Sequence, residues 1–274
     1  MVRAAVGQLC STAAIHMNQV HCQKLVAMAA ETGAKVLFLP EASDYIASSA
    51  EESYALAQST ERAEFVTSLQ EEAKEKNIHI NVGIHEVASE GRLRNLLIWI
   101  DNKGIITQKY QKIHLFDVDI KDGPVLKESA NVQPGQQIPR PFETPIGRVG
   151  LSICFDLRFP EMSLALRRQN AEIITYPSAF TVLTGQAHWK PLLQARAIET
   201  QSYVIAAAQA GHHGGKRCSY GHSMIVSPWG EVVAELGGGD SDVEIATADI
   251  DLDLVAKIRR EMPLLRRNDL YPEI

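Results

Sequence analysis

Three side chains of reactive type each stand at the end of a predicted strand. Glu41 follows VLFLP, Lys112 follows ITQKYQ, and Cys154 ends VGLSIC. Ligands of open α/β sheets collect at the carboxyl ends of strands, so reactive groups are expected at such positions. Taken singly, each residue also has an ordinary interpretation: an inert buried thiol for Cys154, a helix-start carboxylate for Glu41, and an exposed strand-edge charge for Lys112.

Taken together, the three residues have the chemistry of a thiol nucleophile. A thiol with a pKa of about 8.5 needs a base or a nearby positive charge to attack at neutral pH, and Glu41 can supply the base. Attack on an amide or nitrile carbon develops negative charge, which an ammonium group such as that of Lys112 would stabilise. A cysteine protease would use a histidine as base, and no histidine here stands in a recognised protease signature.

Metal and disulfide chemistry find little support in the sequence. The nine histidines include no H-E-x-x-H, and His212 and His213 are adjacent rather than spaced along one helix face. We therefore predict no metal and no other cofactor. No C-x-x-C pair is present and four cysteines are too few for a disulfide framework, so each is interpreted as a free thiol. These cysteines are Cys10, Cys22, Cys154 and Cys218.

Composition is that of an ordinary globular protein. The 274 residues are 45% hydrophobic and 22% charged, with 27 Lys and Arg against 33 Asp and Glu and a net charge of -6. Such a balance gives no basic field for nucleic acid or anionic lipid, so neither partner is expected. No apolar stretch has the length of a signal or membrane-spanning segment. We expect a cytoplasmic protein, with an additional mitochondrial pool left open.

The elements that must position the reactive residues occur twice along the chain. Each half reads strand, helix, strand, helix, strand, then a hairpin, and the runs VLFLPEA and IITYPSA match position by position. In the first half, a single amphipathic helix is predicted over residues 51–76. Two similar sheets would bury their apolar faces against each other, with helices outside. The prediction is an α/β fold, one four-layer α-β-β-α sandwich domain over 1–274, with Glu41 and Ser178 at equivalent strand ends.

The segment that joins the two halves lacks clear periodicity. Residues 114–145 are rich in proline, and unstructured segments of such length in compact domains are often functional. We expect this segment to wrap the mouth of the active site.

The motifs LPEASDY, KYQKIHLFD and SICFDLRFPE resemble those of the nitrilase, or carbon–nitrogen hydrolase, superfamily, in the same order and over nearly the whole chain. The resemblance implies an α-β-β-α sandwich in which Glu41 is the general base, Lys112 the electrostatic stabiliser and Cys154 the nucleophile. It also implies a further active-site glutamate, for which Glu128 is the candidate. The alternative for Glu128 is a solvated loop carboxylate.

Within that superfamily, the segments LQARAIETQSYVIAAAQ, TYPSAF and RRNDLY are similar to those of amidases that act on deaminated glutathione. Such enzymes hydrolyse the γ-amide to 2-oxoglutarate and cysteinylglycine. Two alternatives stay open: an ω-amidase for smaller oxo-acid amides such as 2-oxoglutaramate, and a non-catalytic scaffold of the same fold. The resemblance also implies a homodimer, for which we suspect the helix ending near Gln201 and the C-terminal region.

Substrate recognition is assigned to three residues. Arg158 lies four positions after Cys154, and a guanidinium group matches a substrate carboxylate with two parallel hydrogen bonds. A salt bridge from Arg158 to Asp156 or Glu161 is the alternative. The resemblance implies that Phe180 and Thr184 are pocket walls, with core packing the alternative for Phe180.

Overall fold

The computed structural model of the chain describes residues 1–89, 91–120, 125–215, 217–239 and 243–272. The helices in these ranges are α1 (Ile15–Glu31), α2 (Ala50–Ala57), α3 (Thr60–Glu75), α4 (Pro160–Arg168), α5 (Val182–Thr200) and α6 (Leu252–Glu261). Short 3-10 helices run over Glu128–Ala130 and Cys154–Arg158. The strands are β1 (Val2–Leu9), β2 (Val36–Phe38), β3 (His79–Val87), β4 (Leu93–Ile100), β5 (Ile106–Gln111), β6 (Asp117–Asp119), β7 (Val125–Lys127), β8 (Phe142–Thr144), β9 (Gly147–Gly150), β10 (Ile173–Thr175), β11 (Tyr203–Ala206), β12 (Ala210–His212), β13 (Cys218–Tyr220), β14 (Met224–Val226), β15 (Val232–Glu235) and β16 (Val243–Ile250).

Two larger sheets share one topology in the described part of the chain. The first has the order β16-β1-β2-β3-β4-β5 and the second the order β8-β9-β10-β11-β14-β15. In each, three parallel strands are flanked by one antiparallel strand on one side and two on the other. The predicted duplication is confirmed at this level, and Glu41 and Ser178 each follow the middle parallel strand of their sheet.

The strands are apolar on both faces because both faces are covered. Val36 and Phe38 of β2 belong to the hydrophobic cluster that includes strands of both sheets, whereas Leu37 and Leu39 belong to the cluster under helices α1 and α3. Alternate residues thus face opposite layers, as the period of a strand requires. The second sheet is covered in turn by α4 and α5. The predicted α-β-β-α sandwich is confirmed.

Local structure differs from the sequence prediction in three places. Residues 51–76 form two helices, α2 and α3, because the Ser59 hydroxyl accepts a hydrogen bond from the N–H of Arg62 (3.2 Å) and starts a new helix. The first sheet gains β16, a C-terminal strand that pairs with β1 along its full length. Cys154 does not end a strand, since β9 stops at Gly150 and Cys154 begins a 3-10 helix.

The segment 114–145 has more regular structure than its sequence suggests. Its described part contains the antiparallel pair of β6 and β7, the short helix at Glu128 and the strand β8. None of the described helices combines the length and apolar character needed to cross a lipid bilayer.

Candidate active site

The predicted reactive residues meet where the carboxyl edges of the two sheets adjoin. Glu41 follows β2 of the first sheet, and Lys112 follows β5, whose carboxyl end lies at the same edge. Cys154 follows β9 of the second sheet, and Glu128 comes from the short helix after β7. We call Glu41, Lys112, Glu128 and Cys154 the four-residue cluster.

Lys112 lies at the centre of the four-residue cluster. Its Nζ is 2.9 Å from Oε1 of Glu41 and 2.9 Å from Oε2 of Glu128, and the residue is 2% exposed. Burial by itself would lower the pKa of Lys112, but the charges of Glu128 and Glu41 raise that pKa well above its ordinary value. The side chain is therefore a buried ammonium and not an exposed strand-edge charge.

Glu41 is an ionised carboxylate that faces the thiol. Burial opposes ionisation, but the Lys112 charge, together with hydrogen bonds from Lys112, Cys154 and Asn95, lowers the pKa of Glu41. Its second oxygen, Oε2, accepts the backbone N–H of Ala179 at 3.0 Å. Burial first, and then the Glu41 charge, raise the pKa of the Cys154 thiol, against the opposing effect of Lys112. A neutral thiol thus donates its hydrogen bond to an ionised carboxylate.

The backbone of Cys154 is held in a rare conformation. Its φ is +46°, in the left-handed region that residues other than glycine seldom adopt, whereas the backbone of Ile153 before it is extended. The N–H of Cys154 donates to the carbonyl of Pro177 at 2.9 Å. The N–H of Ile153 donates to Asp156 Oδ2 at 2.8 Å. This sharp turn follows β9 and holds Cys154 in place at the start of the 3-10 helix.

Asp156 joins the segment of the thiol to the segment of the lysine. The buried carboxylate accepts the Tyr110 hydroxyl at 2.6 Å and both the backbone N–H and Nδ1 of His114, at 3.1 and 2.8 Å. Tyr110 and His114 stand two residues on either side of Lys112. From the sequence, Asp156 is expected only as a possible ion-pair partner of Arg158. In the structure it instead accepts hydrogen bonds from Tyr110 and His114, on the segment that carries Lys112.

Glu128 is held by three partners and is not a solvated loop carboxylate. Besides Lys112, it accepts the N–H of Phe116 at 2.7 Å and the side-chain amide of Asn95 at 3.2 Å. The same amide nitrogen of Asn95 donates to Oε1 of Glu41 at 2.8 Å. Sequence reasoning did not find Asn95, although a lone amide in the apolar run RNLLIWI was a usable signal. Glu128 and Phe116 both belong to the segment expected to wrap the site.

A narrow cleft opens beside Cys154. Arg158 lies in it with its guanidinium 5.8 Å from the ring centre of Phe155 and 5.6 Å from that of Phe180. The wall residues, which include all three predicted substrate-binding residues, are Phe116, Cys154, Phe155, Arg158, Ala179, Phe180, Thr181 and Thr184.

The structure distinguishes between the alternative roles stated above for Arg158 and Phe180. Among the ion pairs of the described residues none joins Arg158 to Asp156 or Glu161, and its Nη2 instead lies 3.2 Å from Nδ1 of His188. Burial lowers the pKa of Arg158, which a partner anion in the cleft would reverse. Phe180 does both things foreseen for it, since it lines the cleft and packs on Trp189 with ring centres 4.8 Å apart.

Over the residues that the structure describes, no cluster of three or more His, Cys, Asp or Glu side chains is arranged to hold a metal ion.

A two-sheet α-β-β-α sandwich with a thiol, a carboxylate base and a buried ammonium at its sheet edges is the architecture of the nitrilase-like hydrolases. The chain belongs to the carbon–nitrogen hydrolase family, whose model matches residues 3–260.

The chain is similar over most of its length to particular members of that family. It is 49% identical to the probable hydrolase nit2 of Schizosaccharomyces pombe, over 100% of both chains. It is 44% identical to the deaminated glutathione amidase of Bos taurus, over 97% of this chain and 82% of that protein. The crystal structure of the Caenorhabditis elegans NitFhit protein superposes with a TM-score of 0.92 at 41% identity, over 98% of this chain and 66% of that one.

Proposed function

We propose that the protein is an amidase that hydrolyses deaminated glutathione to 2-oxoglutarate and cysteinylglycine through a thioester on Cys154. The observation that carries this proposal is the contact of Glu41 with both the Cys154 thiol and the Lys112 ammonium, at the end of a cleft that contains Arg158. The similarity to the deaminated glutathione amidase of Bos taurus supports the choice of substrate.

Acylation begins with the neutral thiol. The Cys154 proton passes to Glu41 while the sulfur attacks the amide carbon, so no free thiolate need exist beforehand. Among the described residues, the hydrogen bonds of the Lys112 ammonium go to Glu41 and Glu128, which leaves its third N–H for the negative oxygen that forms. The proton on Glu41 then goes to the leaving nitrogen, the C–N bond breaks, and cysteinylglycine departs.

Deacylation reverses the proton path. Glu41, ionised again, takes a proton from water as the water oxygen attacks the thioester carbon. The C–S bond breaks, the proton returns to the sulfur, and 2-oxoglutarate leaves. Glu128 contributes by fixing Lys112 from the other side, because a buried ammonium with one partner would have more freedom to move.

The substrate carboxylate is assigned to Arg158. This acid group must enter a partly desolvated cleft, where an unpaired anion is costly, so a cation is required there. Phe180 and Thr184 form the walls beside it. A scaffold without activity would not need Glu41, Lys112 and Cys154 to be buried together, and this argues for the enzyme over the scaffold.

The test is hydrolysis of deaminated glutathione and of 2-oxoglutaramate by the same preparation. We expect kcat/KM to be larger for deaminated glutathione, with release of cysteinylglycine, and intact-mass measurement to detect an acyl adduct on Cys154. Preference for 2-oxoglutaramate would make the protein an ω-amidase with the same chemistry. No turnover of either, with the fold intact, would favour the scaffold.

Three further features stay predictions: one domain over residues 1–274, a homodimer, and a cytoplasmic location. Limited proteolysis of the purified chain tests the single domain, and light scattering tests the homodimer.

A further inference from the structure

Asn95 touches both carboxylates of the four-residue cluster. It lies at the start of β4, on the face of the first sheet that looks towards the second, and is 4% exposed. Its Nδ2 donates to Oε1 of Glu41 at 2.8 Å and to Oε1 of Glu128 at 3.2 Å. Its backbone carbonyl accepts the N–H of Lys112 at 3.0 Å. One residue therefore contacts three members of the cluster.

The orientation of the Asn95 amide follows from its neighbours. With the oxygen turned towards the carboxylates, three acceptors would face one another without a proton between them, so the nitrogen must point there. Oδ1 is consequently turned away, and it has no hydrogen-bond partner among the described residues. A buried acceptor left unsatisfied is unfavourable for folding, so the two bonds from Nδ2 to the carboxylates are what hold the amide in this orientation.

We propose that Asn95 is a positioning residue, whose amide N–H groups hold Glu41 and Glu128 on either side of the Lys112 ammonium so that Glu41 stays ionised. The buried Glu41 shares one ammonium with a second carboxylate, that of Glu128, and without a further donor Glu41 would take up a proton more readily. Protonation of Glu41 would remove the base from the proposed mechanism.

Other charged and titratable groups around this position must be considered in any test that uses pH. His85 lies opposite Asn95 in the β3–β4 pairing and is bound through Nδ1 to Asp44 at 2.9 Å. Arg158 lies across the cleft beside Cys154. The groups that face the two carboxylates directly are Lys112, Cys154, the N–H of Ala179 and the N–H of Phe116.

The experiment compares Asn95→Leu and Asn95→Asp, which keep the volume of the side chain but remove its N–H donors. This role rests on the proposed function, so two readouts are taken over a pH series. One is kcat/KM with deaminated glutathione; the other is the rate at which iodoacetamide alkylates Cys154, followed by intact mass, which needs no substrate. In both variants the acid limb of both profiles is expected to move to higher pH, by about one unit for Leu and at least as far for Asp.

Asn81 supplies a matched control. It is a buried asparagine on the neighbouring strand β3, donates to the carbonyl of Ile98 at 3.1 Å, and also has an Oδ1 without a partner among the described residues. Asn81→Leu should lower the melting temperature without moving either acid limb. An acid limb that stays in place for both Asn95 variants, with only Tm lowered, would overturn the proposal.

Two further outcomes are distinguishable. If wild-type protein fails to turn over the substrate but alkylation of Cys154 responds to the Asn95 variants as expected, the proposed function fails and the positioning role stands. Should neither variant fold, Asn95→Ser, which keeps one donor, is measured in the same way and is expected to show a smaller shift in the same direction.

Discussion

Gly83 of β3 lies against the backbone of Glu41, so closely that a Cβ on Gly83 would stand 2.5 Å from the Glu41 Cα. The N–H of Gly83 donates to the Pro40 carbonyl at 3.0 Å, and its own carbonyl accepts the N–H of Ser43 at 2.8 Å. These bonds bracket a turn in which Ala42 has a φ of +56°. The position of the proposed base is thus fixed by a neighbouring strand that has room for a hydrogen and nothing larger.

Gly83→Ala is therefore expected to displace Glu41. Overpacking of this kind costs about 1 to 3 kcal/mol of stability, and a shifted base should reduce kcat about 100-fold. Gly239→Ala is the control, since an added Cβ there meets nothing within 4 Å. Steady-state kinetics and thermal unfolding of both variants test the prediction, and an unchanged kcat in Gly83→Ala would contradict it.

Cys154→Ala should abolish turnover and leave the fold intact. Loss of one sulfur leaves a small void, with a cost of order 1 kcal/mol. Cys10→Ala, which alters a thiol outside the four-residue cluster, should stay active. The measurement is amide hydrolysis with circular dichroism as the check on folding; a Cys154 variant with even a tenth of the wild-type rate would exclude covalent catalysis by this residue.

The pH profile of activity should show no rise that reflects deprotonation of the Cys154 thiol. The pKa of Cys154 is raised by burial and by the Glu41 charge, so the rate should not climb through the usual thiol value of about 8.5. The acid limb should fall below the ordinary glutamate value of about 4.3, because the pKa of Glu41 is lowered despite its burial. Profiles of kcat/KM from about pH 3 to 10 decide this, and a rise near pH 8.5 would indicate a free-thiolate mechanism.

Glu41 also links stability to pH. The pKa of Glu41 is lower in the folded than in the unfolded state. Ionised Glu41 therefore stabilises the fold at any pH above its unfolded-state pKa. This contribution to stability is lost as the pH falls through the folded-state pKa. Glu41→Gln should accordingly flatten the loss of stability on acidification. Denaturant unfolding at pH 7 and at acid pH measures the difference, and parallel losses in both proteins would argue against the assignment.

Arg158 should matter for acidic substrates alone. Arg158→Ala is expected to cost about 2 to 4 kcal/mol in kcat/KM for an oxo-acid amide, and Arg158→Lys should raise KM more than it lowers kcat because the two-pronged hydrogen bond is lost. A neutral amide should show little change with either variant. Equal losses on acidic and neutral amides would mean that the carboxylate site lies elsewhere.

Tyr110→Phe should reduce activity through Asp156. The lost hydroxyl donates to Asp156 at 2.6 Å, and an incompletely satisfied buried carboxylate costs about 1 to 3 kcal/mol. We expect a lower Tm and a several-fold lower kcat, because Asp156 also holds the turn before Cys154. Tyr45→Phe, which removes a hydroxyl bonded to the Ser53 carbonyl, is the control and should leave kcat unchanged. A kcat equal to that of wild type in Tyr110→Phe would show that this link does not position the thiol.

Much of the fold and of the chemistry could be predicted from local patterns. The alternation of strand-like and helix-like segments, together with the matched runs VLFLPEA and IITYPSA, predicted two equivalent sheets with outer helices. The structure confirms these sheets. The types of Glu41, Lys112 and Cys154 and their positions at the ends of predicted strands identified the residues that lie in contact. Such features are visible because periodicity and strand ends are properties of short stretches of chain.

Three features could be decided only by the tertiary structure. β16 joins the first sheet through pairing with β1, more than 230 residues earlier in the chain. Asn95 and Asp156 became part of the site through hydrogen bonds to residues that are distant in sequence. Arg158 faces a cleft beside Phe180 and not an acidic neighbour, and this orientation depends on how the second sheet packs. The physical reason is common to all three: a polar group or strand edge selects its partner from whatever packing brings within about 3 Å, and a local pattern carries no record of that choice.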